Sequence, residues 1–262
     1  MSLDMRFDFA DQSVVIAGGT SGVGLATAAA FADNGCRRLV LVGRNEQRGK
    51  AAVDSVQAVA ADAQVEFVSA DLNEPEGAQA AADEAVRRLG GIDVLVNSTV
   101  APYQPTLLHT MPLADLRSVL VEQAVGSLLM TRAVLPVMRA AGAGSIISIA
   151  SDAAKVPTPG ETGIGAAMAA IITFCRTLAI EAKNDGIRVN VLTPSLIVNT
   201  ASYDRAMAQE FSKKIFDRIV ARAGLGLTEP DDLAATALFL ASPLSRRITG
   251  QVISVNGGIS VA

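Results

Sequence analysis

The 262-residue chain has no tryptophan, two tyrosines, two cysteines and one histidine. With His109 as the only imidazole, no metal-ligand cluster and no Ser–His–Asp arrangement can be assembled, so no metal site is expected. Cys36 and Cys175 stand at unrelated spacing and read as two reduced, buried thiols rather than a disulfide. The 22 basic residues are outnumbered by 26 acidic ones, and no basic stripe is interleaved with aromatics, which excludes a nucleic-acid partner. Long apolar runs are also missing. The greasiest stretch, Ala166 to Phe174, is too short to span a bilayer and is closed by Arg176. Asp4, Arg6 and Asp8 occupy the region where a signal peptide would carry its apolar core. A cytoplasmic chain without membrane association is the expectation.

What is present is alternation. Short β-branched runs at Ser13–Ile16, Arg38–Val42, Val65–Val68, Asp93–Val96, Ser145–Ile149, Arg188–Leu192 and Gln251–Val255 read as strands. Helical patterns lie between them, at Leu25–Phe31, Glu46–Ala61, Ala78–Leu89, Leu113–Ala140 (one helix or two) and Gly163–Asn184. A further helix runs from Glu229-Pro230 to Leu240, and Thr200–Ala223 is polar, helical in pattern and bounded by glycines, as a lid would be. Half of the residues are apolar, enough for one sizeable core. Strands joined through helices require parallel pairing, so residues 1–262 are expected to form one α/β domain. Its sheet is doubly wound and parallel, of about seven strands, with helices on both faces.

The stretch Ser13 to Ala30 organises the rest. A buried strand turns through Ala17-Gly18-Gly19-Thr20-Ser21-Gly22-Val23-Gly24 straight into an alanine-rich helix. Such a turn aims backbone N–H groups and the positive helix end at whatever lies above it, which is an anion site, usually for a pyrophosphate. Gly18 permits the turn, Gly22 clears space for phosphate, and Gly24 lets helix and strand approach, while Thr20, Ser21 and Val23 complete the loop. After the second strand comes Gly43-Arg44-Asn45, where an acidic residue would select a free ribose 2′-hydroxyl and an arginine accommodates a 2′-phosphate. Arg44 therefore favours NADP(H) over NAD(H), although a loop arginine can also be a solvated surface charge. Asp71-Leu72 ends the third strand, where the carboxylate can accept from an adenine amino group or cap the next turn. Asn97 and Ser98 end the fourth strand, and the Asn97 amide can tie that strand to its neighbour.

With these motifs in place, the chain resembles the short-chain dehydrogenase/reductase family over nearly its whole length. The glycine loop is similar to that family's Thr-Gly-x-x-x-Gly-x-Gly, with Ala17 for the threonine. Gly144-Ser145-Ile146-Ile147, Ile187-Arg188-Val189-Asn190, Pro194, Thr249-Gly250-Gln251 and Asn256-Gly257-Gly258 fall at further landmarks. The resemblance implies a single Rossmann-type domain that binds NAD(P), with Pro194 and Ile197 also facing the cofactor. It implies oxidation of alcohols or reduction of carbonyls, and pairing through the apolar Gly163–Ile180 helix and the long one before it into a homodimer or homotetramer.

The same resemblance locates a tetrad of Asn, Ser, Tyr and Lys, of which only Ser151 is retained. Ile164 and Met168 stand at the tyrosine and lysine positions, and Gln123 at the asparagine position. A phenol and an ammonium four residues apart share a helix face, and the ammonium makes the phenol a usable acid near neutrality. Isoleucine and methionine do neither, and loss of a general acid costs roughly 10²–10⁴ in rate, about 3–5 kcal/mol of barrier. Lys155, Tyr103, Tyr203, His109 and Glu161 are other proton carriers near the substrate region. Ala101, Leu107, Leu108, Met111, Leu196 and Met207 suggest an apolar pocket. Two readings stay open: an NADP(H)-dependent oxidoreductase of a small apolar substrate with a non-standard proton source, or a catalytically silent cofactor-binding scaffold, regulator or subunit of a mixed assembly. A non-redox lyase or isomerase is a weaker third.

Overall fold

A computed structural model describes residues 7–262, so Asp4 and Arg6 lie outside the described residues. Seven strands, β1 (Ser13–Ala17), β2 (Arg38–Gly43), β3 (Gln64–Ser69), β4 (Val94–Asn97), β5 (Gly144–Ile149), β6 (Ile187–Thr193) and β7 (Val252–Ser254), form one sheet in the order β3-β2-β1-β4-β5-β6-β7. Every pairing is parallel. The helices are α1 (Gly22–Asp33), α2 (Glu46–Val59), α3 (Pro75–Leu89), α4 (Leu113–Leu120), α5 (Gly126–Ala141), α6 (Thr162–Ala182), α7 (Ala201–Ala208), α8 (Glu210–Val220) and α9 (Pro230–Ala241).

The strands are apolar at successive positions because both faces of the sheet are covered. Val14 and Ile16 of β1 point into the layer of α1, α2 and α9 with Phe31, Val56 and Leu233. Val15 and Ala17 point into the opposite layer of α3, α5 and α6 with Ala81, Met130 and Ile171. This period-2 division makes one strand serve two cores. A third, smaller cluster of Leu196, Ala206 and Phe216, flanked by Tyr203, Met207 and Ile219, holds α7 and α8 together beyond the end of β6.

The helix boundaries follow local chemistry. Asn45 accepts from the Arg48 N–H to start α2, Pro75 stands in the first turn of α3, and Gly90 ends α3 with φ 78°. The sequence leaves open whether Leu113–Ala140 is one helix or two. In the structure α4 and α5 are joined without a break by a π-helical turn at Val121–Val125. The expectation that the apolar run Ala166–Phe174 is too short to span a bilayer needs correction, because the apolar character continues past Arg176 along the helix expected at Gly163–Asn184. Thr162–Asp185 and Leu113–Ala141 are both long and apolar enough to cross a membrane by length and composition. In the fold Met130, Val134 and Met138 of the one, and Ala167, Ile171 and Leu178 of the other, pack in the core beside the sheet.

Candidate active site

The strand order reverses between β1 and β4, and the loops that leave these two strands open a crevice at their carboxyl ends, where α/β sheets take ligands. The Ser98 N–H donates to the Ala17 carbonyl at 2.8 Å, so the two loops start in register. Gly18, at φ +80°, is pressed so closely to this second loop that a Cβ there would lie 2.5 Å from the Ser98 carbonyl oxygen. A Cβ on Gly24 would lie 2.2 Å from the Gly18 carbonyl oxygen, which fixes how near α1 sits to the turn. Gly22 differs. At φ +53° a Cβ would meet only the Thr200 methyl, at 3.7 Å, and otherwise open space. Ser21 precedes α1 without a side-chain cap, so the first N–H groups of the helix have no capping acceptor from it. Open space over an uncapped helix start fits a pyrophosphate. Thr20 packs beside Gly43, and Val23 is buried in the core.

At the other end of the crevice, Arg44 Nη1 lies 4.0 Å from Asp71 Oδ2, with the side chains 56% and 46% exposed. An exposed ion pair of that length is worth little, so the guanidinium can turn to a better anion. Asn45 Oδ1 accepts from Arg48 N at 2.8 Å, so that side chain is engaged as a helix cap. Asp71 Oδ1 accepts from Asn73 N at 3.0 Å, the turn-capping alternative foreseen for it, and Leu72 is buried in the core. The Asn97 amide donates to Thr131 Oγ1 at 2.9 Å and to Ser148 Oγ of β5 at 3.2 Å, which ties β4 to its neighbour under the crevice.

A cavity of about 250 Å³ lies beside Ser151, between the loop that follows β5, the Ser195–Leu196 turn and α8. Its apolar walls include Val156, Leu196, Ile215 and Ile219. Of the six residues expected to make the pocket apolar, only Leu196 lines it. Leu107 and Leu108 are exposed, Ala101 is buried against Gln123, and Met207 packs in the α7–α8 cluster. The spacing of residues along a loop does not reveal which of them α7 and α8 will meet.

Ser151 Oγ accepts from Ala153 N at 3.2 Å, which leaves its O–H free to donate. Glu161 lines the same cavity, and burial, with a smaller push from the Asp152 charge, raises its pKa above the ordinary carboxylate value. Asp152 is 4% exposed and accepts from Asn256 Nδ2 at 2.7 Å and from Ser260 Oγ. Lys155 Nζ stands 3.4 Å from the same carboxylate and donates to Ser254 Oγ and to the Ala262 carbonyl, both at 2.6 Å. The ammonium is thereby engaged in fastening residues 254–262 to the loop after Ser151. Sequence reasoning missed Asp152, because nothing near it announces partners that return more than a hundred residues later.

The other positions that the resemblance assigns to a tetrad are apolar or engaged in hydrogen bonds. Met168 is 6% exposed in the core and Ile164 packs against the same cluster, one helical turn away on α6. Gln123, in the π turn, donates to the Ala101 carbonyl at 3.2 Å and accepts from the Ala101 N–H at 3.5 Å, so its amide pins the loop after β4. Tyr103 donates to Glu122 at 3.1 Å, Tyr203 packs within the α7–α8 cluster, and His109 is exposed on the 3₁₀ turn Leu108–Thr110. Of the alternative proton carriers, Glu161 is the one brought into the cavity with Ser151. The Pro194 carbonyl accepts from Asp152 N at 2.8 Å, and Ile197 pairs with Thr228, so both hold the chain between Ser151 and α7.

Comparison with known proteins agrees with this architecture. The enoyl-(acyl carrier protein) reductase family model matches residues 17–260. A 3-oxoacyl-(acyl-carrier-protein) reductase of Chlamydia pneumoniae is 33% identical over 258 residues, 98% of this chain and 100% of the relative. A probable galactose dehydrogenase of Rhizobium meliloti is 32% identical over 96% of both chains. Among solved structures, a 7α-hydroxysteroid dehydrogenase complexed with NADH and 7-oxo glycochenodeoxycholic acid superposes with a TM-score of 0.89 at 27% identity, covering 98% of each chain. A levodione reductase superposes at 0.90, also with 27% identity, covering 95% of this chain and 98% of its own.

Proposed function

We propose that this chain, which belongs to the short-chain dehydrogenase/reductase family, is an NADP(H)-binding oxidoreductase of a small apolar carbonyl or alcohol that works without the family's tyrosine–lysine pair. A single contrast carries the reading. The glycine cradle is open and uncapped, while the helix face one turn long at Ile164 and Met168 is apolar and packed into the core.

In this reading the N–H groups of Gly18 to Gly24 receive the pyrophosphate and Arg44 takes the 2′-phosphate. Asp71 and Leu72 border the adenine, while Asn97, Ser98, Pro194 and Ile197 line the rest of the cofactor's path. The bound nicotinamide would supply the hydride. Ser151, with its O–H free, donates to the substrate oxygen. Residues 200–223 act as a lid within one domain spanning 1–262, and α5 and α6 form the contact of a homodimer or homotetramer. The protein is taken to be cytoplasmic, without nucleic-acid or membrane partners.

The apolar dyad also favours a second reading, a catalytically silent cofactor-binding scaffold or subunit. Restoring the pair, Ile164→Tyr with Met168→Lys, separates the two. In a folded variant, carbonyl reduction with NADPH across a ketone panel should rise by roughly 10²–10⁴ over the parent, the usual worth of a positioned acid. No gain, with NADPH still bound, would mean that the rest of the pocket does not support the chemistry.

A further inference from the structure

The cavity beside Ser151 has one feature that an apolar substrate does not need. Arg218, near the end of α8, and Arg222, just beyond it, are both exposed and both line it. Arg218 lies in the last turn of α8 and Arg222 in the turn that follows it, and Ile215 and Ile219 line the same cavity. An exposed arginine on a cavity wall lays its methylenes along the apolar surface and holds its guanidinium at the mouth. The neighbouring charges are already used. Lys213 and Asp217 pair with each other at 2.8 Å on α8. Asp152 is held by Asn256, Ser260 and Lys155. Glu161, deeper in the cavity, has no ion pair within 4 Å among the described residues and resists ionisation through burial. Neither Arg218 nor Arg222 makes a salt bridge among the described residues. Two exposed arginines thus line one largely apolar cavity, on a molecule whose net charge is −4.

We infer that the substrate is an amphipathic anion, its apolar body in the Ser151 cavity and a carboxylate at the mouth between Arg218 and Arg222. The inference rests on the reading of this cavity as the substrate site and adds the charge of the substrate to it. The volume agrees: a cavity of ~150 Å³ takes a benzene ring, so about 250 Å³ holds a ring with a short chain. The carboxylate gains forked, charge-assisted hydrogen bonds from a guanidinium that an alcohol cannot supply.

The test is calorimetric titration of the full chain with 4-phenylbutyrate and with 4-phenylbutanol, which share a body and differ in the head. Each titration is run with and without NADPH in the cell. The carboxylate should bind at least about tenfold more tightly, and its advantage should shrink between about 0.05 M and 0.5 M NaCl as surface charge is screened. Arg218→Ala/Arg222→Ala should bring its affinity down to that of the alcohol, whereas Lys213→Ala, on a residue that does not line the cavity, should leave the preference in place. Equal affinity for the two compounds, a preference that survives in the double variant, or no binding of either compound would each overturn the inference. Carboxylate selectivity in a protein that takes up no NADPH would uphold it and remove the cofactor reading instead.

Discussion

Glu161 is an ionisable group that the fold draws into the Ser151 cavity. It precedes α6, lines the Ser151 cavity, and keeps its proton above the ordinary carboxylate range because burial disfavours the charge. The folded state therefore holds this proton over a pH window in which the unfolded chain has released it. Stability falls as pH rises from the ordinary carboxylate value of 4.5 through the raised one, and the penalty is complete above it. Glu161→Gln removes the charge without changing the shape. Its melting temperature should match the parent's at the acid end of the window and exceed it at neutrality. Parallel melting curves across that range would show that the side chain is solvated and not part of the cavity wall. The identity of Glu161 as a proton carrier is legible in sequence, but its burial is not, since the walls come from α8 and the Ser195 turn, remote along the chain.

At the scale of elements, β1, its loop and α1 give the sharpest contrast. Gly22 and Gly24 look alike in sequence, both inside one glycine-rich run. The structure assigns them different work: a Cβ on Gly24 meets a backbone oxygen at 2.2 Å, and one on Gly22 meets open space. Gly24→Ala should therefore be destabilising by ~1–3 kcal/mol, the usual cost of overpacking. Gly22→Ala should cost only about 1–2 kcal/mol, for its left-handed backbone, yet abolish measurable NADPH binding. Chemical denaturation alongside nucleotide titration reads both quantities. A Gly22→Ala variant that binds NADPH normally would remove the phosphate from this loop. The alternation of elements is legible because periods of 2 and 3.6 are local properties of the chain. The π turn at Val121–Val125 is not, since an extra residue in a helical turn leaves the apolar pattern nearly intact and shows only in the backbone.

Across the whole molecule, long-range returns of the chain complete what the local motifs begin. The parallel sheet and its two covered faces follow from strands joined through helices, and the sequence carries them. The fastening of Asp152 by Asn256 and Ser260 depends on β7 lying beside β6, a pairing no local pattern specifies. Arg218 and Arg222 likewise come to a common cavity only when α8 and the turn after it meet the loop after β5. The resemblance places Ile164 and Met168 at the tyrosine and lysine positions, and in the structure Met168 is buried in the core while Ile164, partly buried, packs against it. We propose that the cofactor site is in use although isoleucine and methionine stand where the resemblance expects tyrosine and lysine. The most direct test is calorimetric titration of the purified protein, and of Arg44→Ala, with NADPH and with NADH. The account predicts micromolar NADPH binding, about −8 kcal/mol, at least ~10-fold weaker NADH binding, and loss of the difference in Arg44→Ala because a charge-assisted phosphate contact is gone. Absence of binding by either nucleotide would contradict it and leave the fold retained for its surfaces alone.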